Sequence, residues 1–315
     1  MKKLIVLTGP TAVGKTELSI NLAKAVNGEI ISADSIQVYK GMDIGSAKIT
    51  SDEMQGINHY LIDILEPAEE FNIHLFKTLT LKAMDEIYAK DKIPIIVGGT
   101  GFYIQSVIYD IDFCDTEADN SYRESLETIA KNKGNLYLHE MLRKVDDKSA
   151  NDIHPNNVKR VIRALEYYNQ TGQPISEHNT VQKNNSSPYN FAYFVLNDKR
   201  ELLYERINKR VDNMVENGLI QEVKELLNSG CNKDMVSMQG IGYKEVVEYL
   251  EGKLSLDETK ELIKKNTRHF AKRQLTWFRR EKEVDMINID QFNYDKQLIL
   301  KNILNILKEK DIVEE

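Results

Sequence analysis

The sequence predicts an α/β protein in which helices flank a parallel sheet, and two observations carry this expectation. First, short apolar runs without polar alternation are separated by helical patterns: KLIVLT at 3–8, EIISA at 29–33, HYLIDI at 59–64, KIPIIVGG at 92–99 and FAYFVLN at 191–197. Strands of that kind are buried on both faces, as in sheets built from strand–helix–strand units. Second, the turn after the first run reads Gly9-Pro10-Thr11-Ala12-Val13-Gly14-Lys15-Thr16 and is followed by a helical pattern to Val26. Strand, G-x-x-x-x-G-K-[ST] loop and helix in that order form a P-loop. The expected class is therefore a P-loop NTPase-like parallel sheet with a helical insertion and a helical C-terminal region.

The remaining elements follow in chain order. Residues 72–90 read as a helix before the fourth run. Between about 113 and 190 long apolar runs are missing and helical segments dominate. NDIHPNNVKRVIRALEYYNQTG predicts a helix starting after Pro155 and stopping at Gly172, and TVQKNNSSPYN a polar connector back to the sheet. Beyond residue 198 the chain is almost wholly helical, with VDMINI as a last edge strand. The expected organisation is 1–112 for the first part of the core, 113–190 for the insertion, and 191–315 for core completion and the C-terminal region.

Composition narrows the class. With 41% hydrophobic and 29% charged residues among 315, the chain is an ordered globular protein. A net charge of −7 excludes a basic nucleic-acid coat, so contacts to phosphate must come from local patches. Cys114 and Cys231 are too few for a disulfide framework or a Cys-rich zinc site. No apolar run reaches the ~18 residues of a membrane helix. The apolar core of MKKLIVLTGP stops at Leu7, too short for a signal peptide, so a cytoplasmic location without membrane contact is expected. The six histidines are scattered and receive no role.

In a P-loop the backbone N–H groups of residues 9–16 converge on an anion, and the helix N-terminus adds positive potential. Lys15 reaches the outer phosphate and Thr16 can hold Mg²⁺ through its hydroxyl. Such a loop implies a di- or triphosphate and leaves the reaction open. A GTPase needs N-K-x-D; the nearest string, Asn232-Lys233-Asp234-Met235, has the Asp one place early. An ATPase needs an acidic strand end, but KIPIIV runs into Gly98-Gly99-Thr100-Gly101. Asp34 reads as the only carboxylate ending a strand near the P-loop, so a small-molecule kinase with Asp34 as base stays open. Asp34 reads equally as a helix N-cap. Gln37 reads as an adenine-edge reader or a plain surface amide, and GGTG as a substrate-facing loop or a tight turn.

The strings GPTAVGKT, ISADSIQVYKGMDIGSAK, VGGTGFY, HPNNVKRVIRALE, ERINKRVDNM, QGIGYKE and TRHFAKRQLTWFRR, in this order, resemble the bacterial tRNA dimethylallyltransferases. The resemblance implies transfer of a dimethylallyl group from dimethylallyl diphosphate to N6 of the adenosine 3′ of the anticodon. It implies that the P-loop holds the prenyl diphosphate rather than ATP, with Mg²⁺ at Thr16. By resemblance Asp34 is the general base and Thr11 lies near the diphosphate. Arg206 or Arg210, one turn apart on ERINKRVDNM, clamps that diphosphate. The tRNA anticodon stem-loop falls to Asp34, Ser35, Ile36, Gln37, Thr100 and Arg123, and to Lys159, Arg160, Val161, Ile162 and Arg163. A monomer is implied. The C-terminal KNILNILKEKDIVEE has no Cys or His, which implies the bacterial form without zinc.

Residues 264–282 carry eight cations against Glu281 alone, a net +7 in an acidic protein. Arg268, Lys272 and Arg279 fall on one helical stripe beside Arg273, with Phe270, Trp277 and Phe278 as apolar anchors. An RNA backbone would find cations and stacking surface there. A prenyltransferase of free adenine nucleotides would need neither this helix nor the insertion.

Overall fold

The computed structural model describes residues 1–111, 120–182 and 185–314. The expected boundary at 112/113 and Cys114 lie outside the described residues. The chain divides into two units, one formed by Met1–Ile108 with Pro188–Glu315, the other by Tyr109–Ser187.

The first unit contains β1 (Lys2–Thr8), α1 (Lys15–Ala25), β2 (Gly28–Ala33), α2 (Ser51–Met54), β3 (His59–Tyr60), α3 (Ile73–Tyr88), β4 (Ile93–Gly98) and α4 (Gly101–Ile108). The second unit contributes α5 (Asn120–Lys133), α6 (Asn135–Val145), α7 (Asp147–Asp152), α8 (Val158–Thr171) and α9 (Ile175–Gln182). The chain then returns through β5 (Tyr189–Asn197), α10 (Arg200–Glu216), α11 (Leu219–Asn228), α12 (Tyr243–Leu250), α13 (Leu256–Phe278), β6 (Val284–Asn288) and α14 (Lys296–Glu309).

The six strands form one all-parallel sheet in the order β3-β2-β4-β1-β5-β6. Leu4 to Leu7 are completely buried, as expected of a strand covered on both faces. VDMINI forms the edge strand beside β5. HYLIDI does not form a full strand. Only His59 and Tyr60 pair, because Leu61 and Asp63 take left-handed backbone angles of 62° and 54°. Residues 180–182 of the expected connector still belong to α9.

Register positions the site. Thr8 pairs with Gly98 and Val195, and Ala33 with Gly98. The carboxyl ends of β1, β2, β4 and β5 therefore share one sheet edge, where ligands gather in open α/β sheets.

Candidate active site

The P-loop leaves β1 through Gly9, at φ 146°, where a Cβ would stand 2.6 Å from the Leu196 carbonyl of β5. Only glycine lets the chain turn that close to its neighbour strand. Val13 is buried and pins the loop, while Ala12 at φ 64° and Gly14 at φ 98° alternate the backbone hand. Alternation of that kind turns successive N–H groups into an anion-binding concavity. The Lys15 ammonium donates to the carbonyls of Gly9 at 2.9 Å and Pro10 at 2.8 Å. Burial, reinforced by the Arg210 guanidinium and opposed by Asp34, pushes the Lys15 pKa down to about 7. Thr16, the second residue of α1, is exposed.

Asp34 follows β2 and is half-buried. Its Oδ1 accepts from the N–H groups of Ile36 at 2.9 Å and Gln37 at 3.3 Å. No helix begins between Asp34 and Ser51, so Asp34 caps a turn and not a helix. The Gln37 amide, expected as an adenine-edge reader or a plain surface amide, is engaged at both ends. Its Oε1 accepts from Ser32 Oγ at 3.2 Å, and its Nε2 donates to the carbonyls of Ser46 at 3.4 Å and Ala47 at 3.3 Å.

Side chains from distant helices hold the 34–48 segment. Glu222 on α11 accepts from the N–H groups of Asp43 at 2.9 Å, Ile44 at 2.6 Å and Gly45 at 3.0 Å, and from Tyr243 Oη at 2.9 Å. Lys48 donates to the Tyr39 carbonyl at 2.8 Å and to Asp43 at 2.6 Å. Arg210 on α10 donates to the Ser46 carbonyl at 3.4 Å. Burial lowers the Arg210 pKa against the pull of Asp34. Lys15, Arg210 and Asp34 thus lie within electrostatic reach of one another.

Arg206 is placed differently, in an ion pair with the buried carboxylate of Asp198. Asp198 also accepts from Tyr294 Oη at 3.2 Å. It directly follows β5, the strand beside β1, so Asp34 is not the only carboxylate ending a strand near the P-loop. The sequence hid this because Asp198 reads as an ordinary residue opening the next helix.

At the end of β4 the Thr100 N–H donates to the Ala33 carbonyl at 3.3 Å, tying the GGTG loop to β2. Trp277 of α13 packs so closely that a Cβ on Gly101 would lie 2.2 Å from its Cδ1. Gln274, also on α13, accepts from the Thr11 N–H at 3.0 Å and donates to the Gly99 carbonyl at 3.0 Å.

A sequence model described as IPP transferase matches residues 37–281, most of the chain. The chain belongs to the IPP transferase family. It is 56% identical over 314 residues to a tRNA dimethylallyltransferase of Lachnoclostridium phytofermentans, with all of both chains covered. It is also similar to the crystal structure of the full-length tRNA isopentenylpyrophosphate transferase of Bacillus halodurans. That likeness has a TM-score of 0.74 at 46% identity and covers 99% of this chain and 98% of the other. A eukaryotic dimethylallyltransferase acting on tRNA matches with a TM-score of 0.79 at 33% identity over 91% of this chain and 74% of that one.

This member of the IPP transferase family presents its cations unevenly. Lys272 and Arg273 on α13 are exposed, as are Arg279 and Arg280 just past its end. Lys264 is instead held by Asp212 at 2.9 Å and Glu261 at 3.2 Å, and Arg268 donates to Asn208 at 2.6 Å. Phe278 is completely buried, so it offers no stacking surface. Phe270 is half-buried, with the Arg273 guanidinium 5.7 Å from its ring centre. Within the second unit, Lys159, Arg160 and Arg163 face solvent from α8. Val161 and Ile162 are 0% and 4% exposed in that unit's own core, which corrects their reading as contact residues. They hold α8 in place, and the apolar spacing Val158, Val161, Ile162, Leu165 already carries that signal. Arg123 is bonded to Glu166 through Nε at 2.8 Å and Nη2 at 2.9 Å, and so is tied within the unit.

Proposed function

We propose that this chain transfers a dimethylallyl group from dimethylallyl diphosphate to N6 of the adenosine 3′ of the anticodon in tRNA, releasing diphosphate. The observation that carries the reading is the company of two cations, Lys15 and Arg210, with one carboxylate, Asp34, at a single sheet edge. Diphosphate leaves only when its growing negative charge is neutralised. The P-loop amides, Lys15 and Arg210 supply that, with the Thr11 hydroxyl beside them. Arg206, neutralised by Asp198, supports the clamp from behind. The C1–O bond of the prenyl diphosphate breaks as the N6–C1 bond forms. The proton shed by N6 passes to Asp34, whose turn-capping bonds aim the carboxylate.

The residues present suit Mg²⁺ held lightly. Among the described residues no three His, Cys, Asp or Glu side chains converge on one point. Mg²⁺ takes few protein ligands and keeps water and phosphate oxygens, which fits the lone exposed Thr16 hydroxyl. When bound, it adds charge neutralisation at the leaving diphosphate.

An adenine stacked in a loop must be turned outward to reach this edge, as in other base-modifying enzymes. Lys272 and Arg273 on α13, Arg279 just past its end, and Lys159, Arg160 and Arg163 on α8 serve the RNA backbone. Thr100, Ser35, Ile36 and Gln37 serve the target nucleotide. The protein acts as a monomer in the cytoplasm. Charge reversal at Lys272 and Arg279 is expected to weaken tRNA binding. It should also flatten the log–log salt dependence by about 0.7 to 0.9 for each phosphate no longer neutralised; an unchanged slope in filter-binding titrations would return α13 to a plain solvated face.

The depressed Lys15 pKa gives a pH signature. Below about pH 7 the ammonium is already charged and diphosphate binds without proton uptake. Above it, each diphosphate bound draws a proton onto Lys15, so affinity falls by up to about tenfold per pH unit. Calorimetry in two buffers of different ionisation enthalpy measures that uptake directly, and no uptake at about pH 8.5 would contradict it.

The function itself is tested with labelled dimethylallyl diphosphate offered to total tRNA and, separately, to AMP. Label in N6-dimethylallyladenosine from tRNA hydrolysates supports the reading. Label in AMP alone would identify a free-nucleotide prenyltransferase.

A further inference from the structure

Gln274 is an amide on the buried stripe of α13, flanked there by apolar side chains. Ala271, one turn before it, and Phe278, one turn after, are completely buried, and Gln274 is 7% exposed. A buried amide is tolerated only when its hydrogen bonds are satisfied. Here both ends are bonded to main chain, and to two different loops. Oε1 accepts from the Thr11 N–H of the P-loop, and Nε2 donates to the Gly99 carbonyl at the end of β4, each at 3.0 Å. Gly99 has no side chain to interfere; a Cβ there would lie 2.1 Å from Nε2. The adjoining Lys272 and Arg273 face solvent from the same turn of helix.

We propose that Gln274 is a positioning residue for the diphosphate grip. It fixes the direction of the Thr11 amide and thereby the path of the P-loop into the left-handed turn at Ala12. The helix whose cations serve RNA is through this side chain bonded directly to the loop that holds the leaving group. This inference rests on the diphosphate reading of the P-loop.

The test is calorimetric binding of inorganic diphosphate with Mg²⁺ to the full-length wild type and to Gln274→Met, which matches the length and lacks both bonds. Diphosphate affinity is expected to fall about tenfold or more, the scale of one hydrogen bond to a charged-group site. KM for dimethylallyl diphosphate should rise in step, while tRNA affinity changes by less than about twofold. A purely structural role would lower the melting temperature and leave the affinity of the folded protein intact. Gln274→Glu is the second variant: it can still accept from the Thr11 N–H but cannot donate to Gly99, and it too must bind diphosphate more weakly. Wild-type diphosphate affinity in either folded variant would overturn the role of Gln274. Wild-type protein that does not bind inorganic diphosphate would overturn the P-loop reading beneath it.

Discussion

Asp34→Asn is expected to lower turnover by about 10²–10⁴-fold, the usual contribution of general-base catalysis. The substitution preserves what the structure shows Asp34 doing for the fold. Asn Oδ1 can accept the same Ile36 and Gln37 N–H groups, and Asn ranks beside Asp as a turn and cap residue. The melting temperature and the affinities for tRNA and diphosphate should therefore persist while proton removal fails. Single-turnover rates with tRNA prebound separate the two effects. Near wild-type rates in a folded variant would remove Asp34 from the chemistry.

Lys15→Ala is expected to lower kcat/KM for the prenyl diphosphate by at least about 10²-fold, the scale for one preorganised charge-stabilising donor. The ammonium now bridges the carbonyls of Gly9 and Pro10, so its loss both removes a cation and frees the loop. tRNA affinity should change little, because the exposed cations of α8 and α13 lie on other elements. Arg210 provides an internal comparison. It shares the field of Lys15 and Asp34, whereas Arg206 is committed to Asp198, so Arg210→Ala should resemble Lys15→Ala more closely than Arg206→Ala does. Steady-state kinetics on the three variants ranks them. Arg206→Ala with the larger loss of diphosphate affinity, and an intact fold, would reverse the assignment.

What the sequence showed and what it hid divide by the range of the interactions. Eight consecutive residues sufficed for the P-loop, because Gly9, Gly14 and the helix start act through local backbone geometry. The buried strands were legible for the same reason, their apolar runs having one stable environment. Gln274, by contrast, meets Thr11 across 263 residues, and Glu222 meets Ile44 across 178. No local pattern distinguishes either from a surface residue on an amphipathic helix. Asp198 was concealed by its position between a strand and a helix, where an acid is ordinary. The misreading of Val161 and Ile162 had another origin. The five residues stand adjacent in sequence, but helical periodicity sends Lys159, Arg160 and Arg163 outward and the two aliphatic residues inward.

One sheet edge is proposed to couple departure of a diphosphate to alkylation of an RNA adenine. The most direct measurement is a single-turnover reaction of enzyme, tRNA and dimethylallyl diphosphate, with diphosphate and mapped RNA fragments quantified in the same quench. One diphosphate released for each N6-dimethylallyl group, located at the adenosine 3′ of the anticodon, is the predicted result. Diphosphate released without an alkylated adenosine, or the group found at another nucleotide, would contradict it.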